Sequence, residues 1–302
     1  MSAVEAPRVE EKAARVSVTA NEGGAPDIVH IVLDDIGMND LWHSSDLPAS
    51  VMTNIKALQE GGAELSNYYG QSFCTPRARA HAATDEAGVY STTLITRESV
   101  ARVKGMANTP SPTHAYASYH GVHDDYGVND TQSEVPPAVM LAINEATTMV
   151  RRKNFAVGMY FADERRGGAA RALATHSTDY VIVLHADNGG SPCGSHCDSN
   201  NHPYRGTKFY DFEGAVKLPP PSTRAPRARA GTSYNGLMHH VDWLATFATG
   251  LAGVAITDDT VDSLDHWKAI HARQLQRLRG RDTVAFSLGA TEATLRFQQR
   301  GA

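Results

Sequence analysis

Two apolar runs rich in β-branched residues stand far apart in the chain, and each ends in a polar cluster. The first run covers residues 28–33 and is followed by Asp34 and Asp35, and the second covers 180–184 and leads to Asp187 and Asn188. Continuous apolar runs of this length predict buried parallel strands. Ligand sites in open α/β sheets lie just beyond the carboxyl ends of such strands. The pattern therefore predicts that the two polar clusters meet at one edge of a sheet.

The remaining periodicity predicts helices alternating with strands. Helices are expected at 50–61, 92–103, 135–152, 238–251 and 263–278, and further strands at 63–69 and 114–119, the latter placing His123 just past its end. Loops are expected at 189–206 and at the proline-rich segment 219–229, which is excluded from a central strand because proline cannot donate to a ladder. Residues 167–168 are expected in a loop or a weak helix. This alternation predicts an α/β fold with a mostly parallel central sheet flanked by helices.

Composition excludes several classes of protein. The 302 residues carry 28 Lys and Arg against 33 Asp and Glu, a formal charge of −5, so no strong basic field exists to hold nucleic acid. No apolar stretch is long enough for a membrane span. The first 25 residues are polar and show no apolar core of a signal peptide, which leaves the compartment open. Three cysteines are too few for a disulfide scaffold, and Cys193 and Cys197 are compatible with either a local disulfide or free thiols.

The two polar clusters offer a set of oxygen ligands. Asp34, Asp35, Asp187 and Asn188 supply three carboxylates and an amide oxygen, the donors that Ca²⁺ and Mg²⁺ prefer. Adjacent carboxylates repel each other unless a cation neutralises them. The alternative interpretation is a helix N-cap at the first cluster and an ordinary Asp-Asn-Gly turn at the second.

A second chemical signal is the segment Cys74-Thr75-Pro76-Arg77-Ala78-Arg79. A cysteine that follows a strand and opens a helix has a lowered pKa because of the helix dipole. The neighbouring arginines suit an anionic substrate. The alternative is a small buried thiol beside surface arginines.

These segments, in this order, resemble the arylsulfatase family within the alkaline-phosphatase-like superfamily. The segments that match the family pattern are 26–40 around the first acidic pair, 53–69 before the cysteine, Cys74-Thr75-Pro76, Val122-His123-Asp124, Asp187-Asn188-Gly189-Gly190, Arg205-Gly206-Thr207-Lys208, 212–214, 240–244 and 265–268. The resemblance implies the sulfatase fold. The composition of residues 1–25 predicts a disordered N-terminal arm. The resemblance implies a catalytic domain at 26–270 that lacks an internal block after about residue 80, and a helical stub at 271–302 in place of a full C-terminal subdomain.

The resemblance also implies a role for each matching residue. Asp34, Asp35, Asp187 and Asn188 would hold Ca²⁺, with Mg²⁺ as the alternative ion. Cys74 would be oxidised by a formylglycine-generating enzyme to formylglycine, whose hydrate attacks the sulfur of a sulfated small molecule or glycan. Lys208 and His123 would bind sulfate oxygens and neutralise charge as it builds.

The chain departs from the family pattern at the signature. Ala78 stands where the family has arginine, and Arg79, the nearest replacement, comes one residue late, a rotation of about 100° on a helix. A second motif of the family, which supplies a lysine and a histidine, is missing between Cys74 and His123. These departures support an alternative function, that of a catalytically impaired homologue that binds a metal and an anionic ligand without turnover.

Two further alternatives stay open. One is a phosphoester hydrolase of the same superfamily, because sulfate and phosphate esters share a shape. The other is a zinc-binding module formed by donors spaced within one loop, namely Cys193, His196, Cys197 and His202.

Overall fold

The computed structural model describes residues 24–41, 45–72, 91–106, 109, 111–123, 135–176, 179–192, 198–225, 230–271, 281–286 and 294–297. Within these ranges the strands are β1 (Asp27–Leu33), β2 (Ala63–Leu65), β3 (Tyr68–Tyr69), β4 (His114–Tyr119), β5 (Tyr180–Ala186), β6 (Ser222–Arg224), β7 (Thr232–Tyr234), β8 (Met238–His239), β9 (Thr283–Phe286) and β10 (Thr294–Phe297). The α-helices are α1 (Thr53–Glu60), α2 (Ser91–Met106), α3 (Pro137–Ala146), α4 (Val150–His176), α5 (Glu213–Val216), α6 (Trp243–Ala245) and α7 (Trp267–Ile270). None of these helices is long and apolar enough to cross a membrane.

A six-stranded sheet organises the fold, in the order β4-β1-β5-β6-β2-β7. β1 runs parallel to both β4 and β5, and β2 runs parallel to β7. β6 runs against both of its neighbours, so it alone is reversed. The prediction of a mostly parallel sheet in an α/β fold is confirmed.

The central strands are buried because both faces of the sheet are covered. α2 packs against β4, and α4 packs against α2 and β5. On the other face, His30 and His185 pack against Trp243, and their ring centroids lie 6.1 and 6.2 Å, respectively, from that of Trp243. The predicted strands at 28–33, 114–119 and 180–184 and the helix at 92–103 are confirmed, as is the helix beginning near residue 50, whose α-helical part is α1.

The single helix predicted for 135–152 is wrong, because the chain forms two helices there. α3 ends at Ala146, and the backbone of its C-cap residue, Thr147, is extended (φ −150°, ψ 143°). The Thr147 hydroxyl accepts the backbone N–H of Met149 at 3.2 Å, a local bond that competes with the helical ladder. α4 then begins at Val150 and continues through the two glycines at 167–168, where a loop or a weak helix was expected.

The proline-rich segment also contradicts its prediction. Instead of an exposed loop throughout 219–229, it contributes β6, which lies between β5 and β2 near the middle of the sheet. The three prolines at 219–221 precede the strand, so each residue of β6 keeps its N–H group. Proline therefore limits where this strand begins but does not exclude it from the sheet.

Three other predicted elements differ from those observed. The strand expected at 63–69 is divided into β2 and β3 by a turn at Ser66 and Asn67. The helix expected at 238–251 begins only at His240, because the two residues before it form β8 beside β3. Of the helix expected at 263–278, the described residues contain α7 alone.

The C-terminal segment was predicted to be helical, but its described residues form an antiparallel strand pair, β9 and β10. Val284 and Phe286 are buried while Thr283 and Ala285 are partly exposed. That alternation has the period of two that is typical of a strand with one buried face.

Candidate active site

Three adjacent parallel strands bring their polar ends to the same edge of the sheet. Leu33, the last residue of β1, is paired with Tyr119 of β4 and with Ala186 of β5. The residues that follow these three positions therefore emerge side by side. The two polar clusters and His123 were predicted to lie at these ends, and the structure brings them together.

The turn after β1 is fixed by the turn after β5. Asp35 has a φ of 57°, a left-handed conformation that aspartate tolerates better than most residues. Its backbone N–H donates to Asp187 Oδ1 at 3.2 Å, and the Asn188 N–H donates to the same oxygen at 2.6 Å. Asp187 thus aligns both turns through a single carboxylate oxygen.

Asn188 is fully buried, and the two ends of its side-chain amide differ in their hydrogen bonding. Its Nδ2 donates to Asp35 Oδ1 at 2.7 Å and to the Gly189 carbonyl at 2.8 Å. Its Oδ1 has no hydrogen-bond partner among the described residues. Buried amide oxygens are rarely left unpaired, so this atom marks a place where a donor or a cation belongs.

Lys208 brings the only ammonium group to the described part of this cluster. Its Nζ lies 2.6 Å from Asp35 Oδ1 and 4.0 Å from Asp34 Oδ1. The backbone positions it, because the Lys208 N–H donates to the Gly190 carbonyl at 3.1 Å. Asn201 holds that glycine in turn, accepting from its N–H and donating to its carbonyl, both at 2.9 Å.

Two histidines from the end of β4 face the carboxylates. His123 Nε2 lies 3.7 Å from Asp35 Oδ2, and His120 Nε2 lies 3.8 Å from Asp34 Oδ2. One ligand atom each from Asp34, Asp35 and His123 falls within 4.8 Å of the others. His120 was missed by sequence analysis, although its spacing of three residues from His123 was a usable signal.

The electrostatics of the carboxylates are unfavourable as they stand. Burial raises the pKa of Asp187 well above its ordinary value, and the charges of Asp34 and Asp35 raise it further. Burial also raises the pKa of Asp35, together with the Asp34 charge, while Lys208 and Asn188 oppose the shift. A desolvated cluster of like charges of this kind is stabilised by a cation.

Another histidine, His240, supports the turn that follows β5. Its buried ring donates to the backbone carbonyl of Asp187, and burial lowers the pKa of His240 to about 4. Beside it, Asp242 caps the helical segment that begins at His240, because its Oδ2 accepts the His239 N–H at 2.9 Å.

An arginine outside the cluster holds the loop that carries Asn201. Arg152 is buried on α4, and its Nη1 donates to Asp40 Oδ1 at 2.6 Å and to the Asp198 carbonyl at 2.9 Å. Asp40 also accepts the N–H groups of Gly37 and Asn200, at 2.8 and 2.9 Å. The first acidic turn, α4 and the loop after residue 198 are therefore joined through two charged groups.

Several predicted site residues lie outside the described part of the chain. These are Cys74 and Arg79 of the signature and three of the four zinc donors, Cys193, His196 and Cys197. The fourth, His202, is exposed. The described chain ends before Cys74 at Ser72, whose carbonyl accepts the Phe209 N–H at 2.6 Å. The segment that leads to the cysteine thus runs beside the segment that carries Lys208.

The chain is similar in sequence and fold to known sulfatases. No protein-family model matches it. Arylsulfatase J from Mus musculus is 24% identical over 185 residues, a match that covers 61% of this chain and 29% of the mouse protein. The chain thus aligns with less than a third of this curated relative.

Solved structures of sulfatases share the fold. PsFucS1 sulfatase from Pseudoalteromonas sp. superposes with a TM-score of 0.71 at 16% identity, covering 92% of this chain and 77% of that one. Ps i-CgsB, solved in complex with k-i-k-neocarrahexaose, superposes with a TM-score of 0.65 at 18% identity, covering 81% of this chain and 76% of that one. The fold is that of the sulfatases. The resemblance that the motifs predicted is confirmed.

Proposed function

We propose that this edge of the sheet binds a divalent cation, Ca²⁺ in the first instance, and hydrolyses sulfate esters. The observation that carries the proposal is a buried cluster of carboxylates that repel one another. Asp34 and Asp35 lie 4.0 and 2.6 Å from the Lys208 ammonium, and the charges of these two carboxylates raise the pKa of the buried Asp187. A divalent cation would relieve this repulsion.

The donor set fits such an ion. Asp34, Asp35, Asp187 and Asn188 would hold it. Coordination of the ion would give the buried Asn188 Oδ1, which has no hydrogen-bond partner among the described residues, a partner. Oxygen donors favour Ca²⁺ or Mg²⁺ over softer metals. When bound, the cation would lower the pKa of the attacking hydroxyl and attract the sulfate. His123 offers nitrogen rather than oxygen and is 42% exposed, which suits a substrate contact better than a Ca²⁺ ligand.

Lys208 and His123 would act on the sulfate group. A buried ammonium beside the reacting centre is worth more than one in water, because little solvent screens it. Lys208 would neutralise charge on the sulfuryl oxygens, while the half-exposed His123 would orient them from the open side. Both roles require only side chains that the structure places around Asp35.

Cys74 would supply the nucleophile after conversion to formylglycine. That conversion breaks the Cβ–S bond and one Cβ–H bond, forms a C=O bond with an oxygen atom from water, releases the sulfur as sulfide and passes two electrons to an oxidant that serves the maturation enzyme. One hydroxyl of the hydrated aldehyde would then attack sulfur while the ester oxygen departs with a proton. Loss of the proton from the second hydroxyl would expel sulfate and restore the aldehyde. A covalent intermediate of this kind divides one difficult step into two.

The names of the similar proteins support the class of substrate. The match to Arylsulfatase J favours a sulfate ester, and the neocarrahexaose complex of Ps i-CgsB favours a glycan as its carrier. The proposed substrate is therefore a sulfated glycan or a small sulfated molecule, and the proposed partner in maturation is a formylglycine-generating enzyme.

The test combines metal binding, mass and turnover. Calorimetry should show one Ca²⁺ per chain for the wild type, little binding for Asp34→Asn, and wild-type binding for Asp259→Asn, whose side chain is exposed. Mass spectrometry of the peptide containing Cys74 should show formylglycine when the maturation enzyme is co-expressed. Release of 4-nitrophenol from 4-nitrophenyl sulfate, but not from the corresponding phosphate, would establish sulfate ester hydrolysis. Absence of Ca²⁺ binding would overturn the metal site, and faster release from the phosphate would favour the phosphoester alternative.

A second candidate function, binding without turnover, is favoured by Ala78. The arginine that would stand there is absent, and loss of one such charge-stabilising group typically costs about 10²–10³-fold in rate. The same experiments separate the two functions. Ca²⁺ binding with an unmodified thiol and no product would assign the chain to the binding class.

A further inference from the structure

The residue after Lys208 is a phenylalanine in an unusual conformation. Phe209 has a φ of 76°, a left-handed value that is costly for a bulky side chain. Its ring is 71% exposed, so burial of the side chain does not compensate for this conformation. Backbone strain that persists without a packing benefit tends to occur at functional sites.

The Phe209 ring lies at the rim of the proposed site. Its centroid is 5.5 Å from Lys208 Nζ, the ammonium that contacts Asp35. A group bound to sulfate at that ammonium would therefore pass close to the ring. Tyr210 follows as a second exposed aromatic side chain, with 59% of its surface accessible.

Backbone hydrogen bonds fix the loop that carries the ring before any ligand arrives. The Phe209 N–H donates to the Ser72 carbonyl at 2.6 Å, and the Tyr210 N–H donates to the Thr207 carbonyl at 3.2 Å. Arg205 closes the loop, because its guanidinium stacks 4.0 Å above the Phe212 ring. A preformed aromatic surface loses little entropy on binding.

We infer that Phe209 is a stacking platform for the pyranose ring that carries the sulfate, and so determines the specificity of the site for glycans. This inference rests on the proposed function. An exposed aromatic face matches the apolar C–H face of a sugar. A small aryl group would instead need a concave apolar pocket that encloses most of its surface, and a ring on an exposed rim does not enclose it.

Binding and turnover test the inference separately. The probes are sulfated oligosaccharides prepared from carrageenan and from chondroitin sulfate, their desulfated counterparts, and 4-nitrophenyl sulfate. We expect Phe209→Ala to weaken binding of at least one sulfated oligosaccharide about 10-fold, while Phe209→Trp restores it. We expect KM to follow the affinity for that sugar, with kcat and the KM for 4-nitrophenyl sulfate changing less than about 2-fold, as uniform binding requires. The matched control is Phe297→Ala on β10, where a similarly exposed phenylalanine (61%) should be replaceable without effect.

A glycine variant separates recognition from folding. Glycine accepts positive φ freely, so Phe209→Gly should raise the melting temperature above that of Phe209→Ala and still lose the sugar affinity. A merely structural role for the ring would make affinity follow stability across these variants.

The failure of the inference differs from the failure of the proposed function. Turnover of 4-nitrophenyl sulfate with no effect of Phe209→Ala on any sulfated oligosaccharide would overturn the inference and leave the enzyme intact. Sugar binding that depends on Phe209 in a protein without turnover would support the inference and reject catalysis. Failure of the wild type to bind every oligosaccharide in the panel would also overturn the inference.

Discussion

The Lys208 ammonium lies 2.6 Å from Asp35 Oδ1, and each side chain is only about one-twentieth exposed (5% and 6%). This buried pair connects two segments that are far apart in the chain. It also places a positive charge where the proposed cation would share a carboxylate. The lysine and the proposed cation would therefore compensate the same negative charges. Removing the lysine should increase the stabilisation that the cation provides.

Lys208→Met tests that relationship. Removing one partner of a buried ion pair typically costs about 3–5 kcal/mol, so the metal-free variant should unfold at a clearly lower temperature. Ca²⁺ should then raise its melting temperature by more than it raises that of the wild type, because binding to the folded state alone stabilises it. Differential scanning calorimetry with Ca²⁺ and with a chelator provides both values.

Lys56→Met is the matched control for this variant. Lys56 forms a half-exposed pair with Glu60 at 3.5 Å on α1, and exposed pairs of this kind are worth about 0.3–0.5 kcal/mol. An equal effect of the two substitutions would contradict a special role for Lys208.

Asp187→Asn should shift stability and metal affinity in opposite directions. The substitution removes a charge that burial and two neighbouring carboxylates disfavour, while its oxygen still accepts from the N–H groups of Asp35 and Asn188. The metal-free protein should therefore become more stable, and Ca²⁺ affinity should fall by at least about 10-fold. Urea unfolding and calorimetry measure the two effects, and a loss of both would indicate that Asp187 is mainly structural.

Arg152→Met should destabilise both the fold and the site. The variant leaves Asp40 buried without its main partner and frees the loop that positions Asn201, Gly190 and hence Lys208. We expect a loss of about 3–5 kcal/mol in the free energy of unfolding, measured by urea denaturation. Arg151→Met is the adjacent control, because Arg151, which forms an ion pair with Asp198, is 46% exposed at the protein surface. Similar losses for both arginines would contradict this account.

His239 should contribute to acid destabilisation. Burial lowers the pKa of His239 to about 3, against about 6.5 in an unfolded chain. Between these values the unfolded state binds more protons, so stability falls as the pH falls through this range, by up to about 3 kcal/mol for this group at pH 4. His239→Gln should make the dependence of unfolding free energy on pH shallower between pH 6.5 and 4.

His202→Gln is the control for the acid series, because His202 is exposed. Its pH dependence should match that of the wild type. An unchanged curve for His239→Gln would show that other groups account for the acid sensitivity.

Much of the site could be predicted because local patterns fix it. The apolar runs of β1 and β5 have the composition of buried strands, and the polar residues after them must emerge at one edge when the strands are parallel and paired. Asp34, Asp35, Asp187 and His123 were placed correctly on these grounds. Local patterns failed where tertiary contacts prevailed, as at Thr147, where a side-chain hydrogen bond accompanies the end of α3, and at β6, which two neighbouring strands recruit into the sheet.

The sequence by itself determined the strand ends, the oxygen donors gathered there and the relationship to sulfatases, because each depends on residue type and short-range order. Only the tertiary structure decided which groups meet across the chain: Lys208 with Asp35, His240 with the Asp187 carbonyl, and Arg152 with Asp40. It also revealed the left-handed backbone of Phe209, which no pattern of residue types specifies. The two polar turns are a local property of the chain, whereas their burial beside Lys208 arises only when the chain folds.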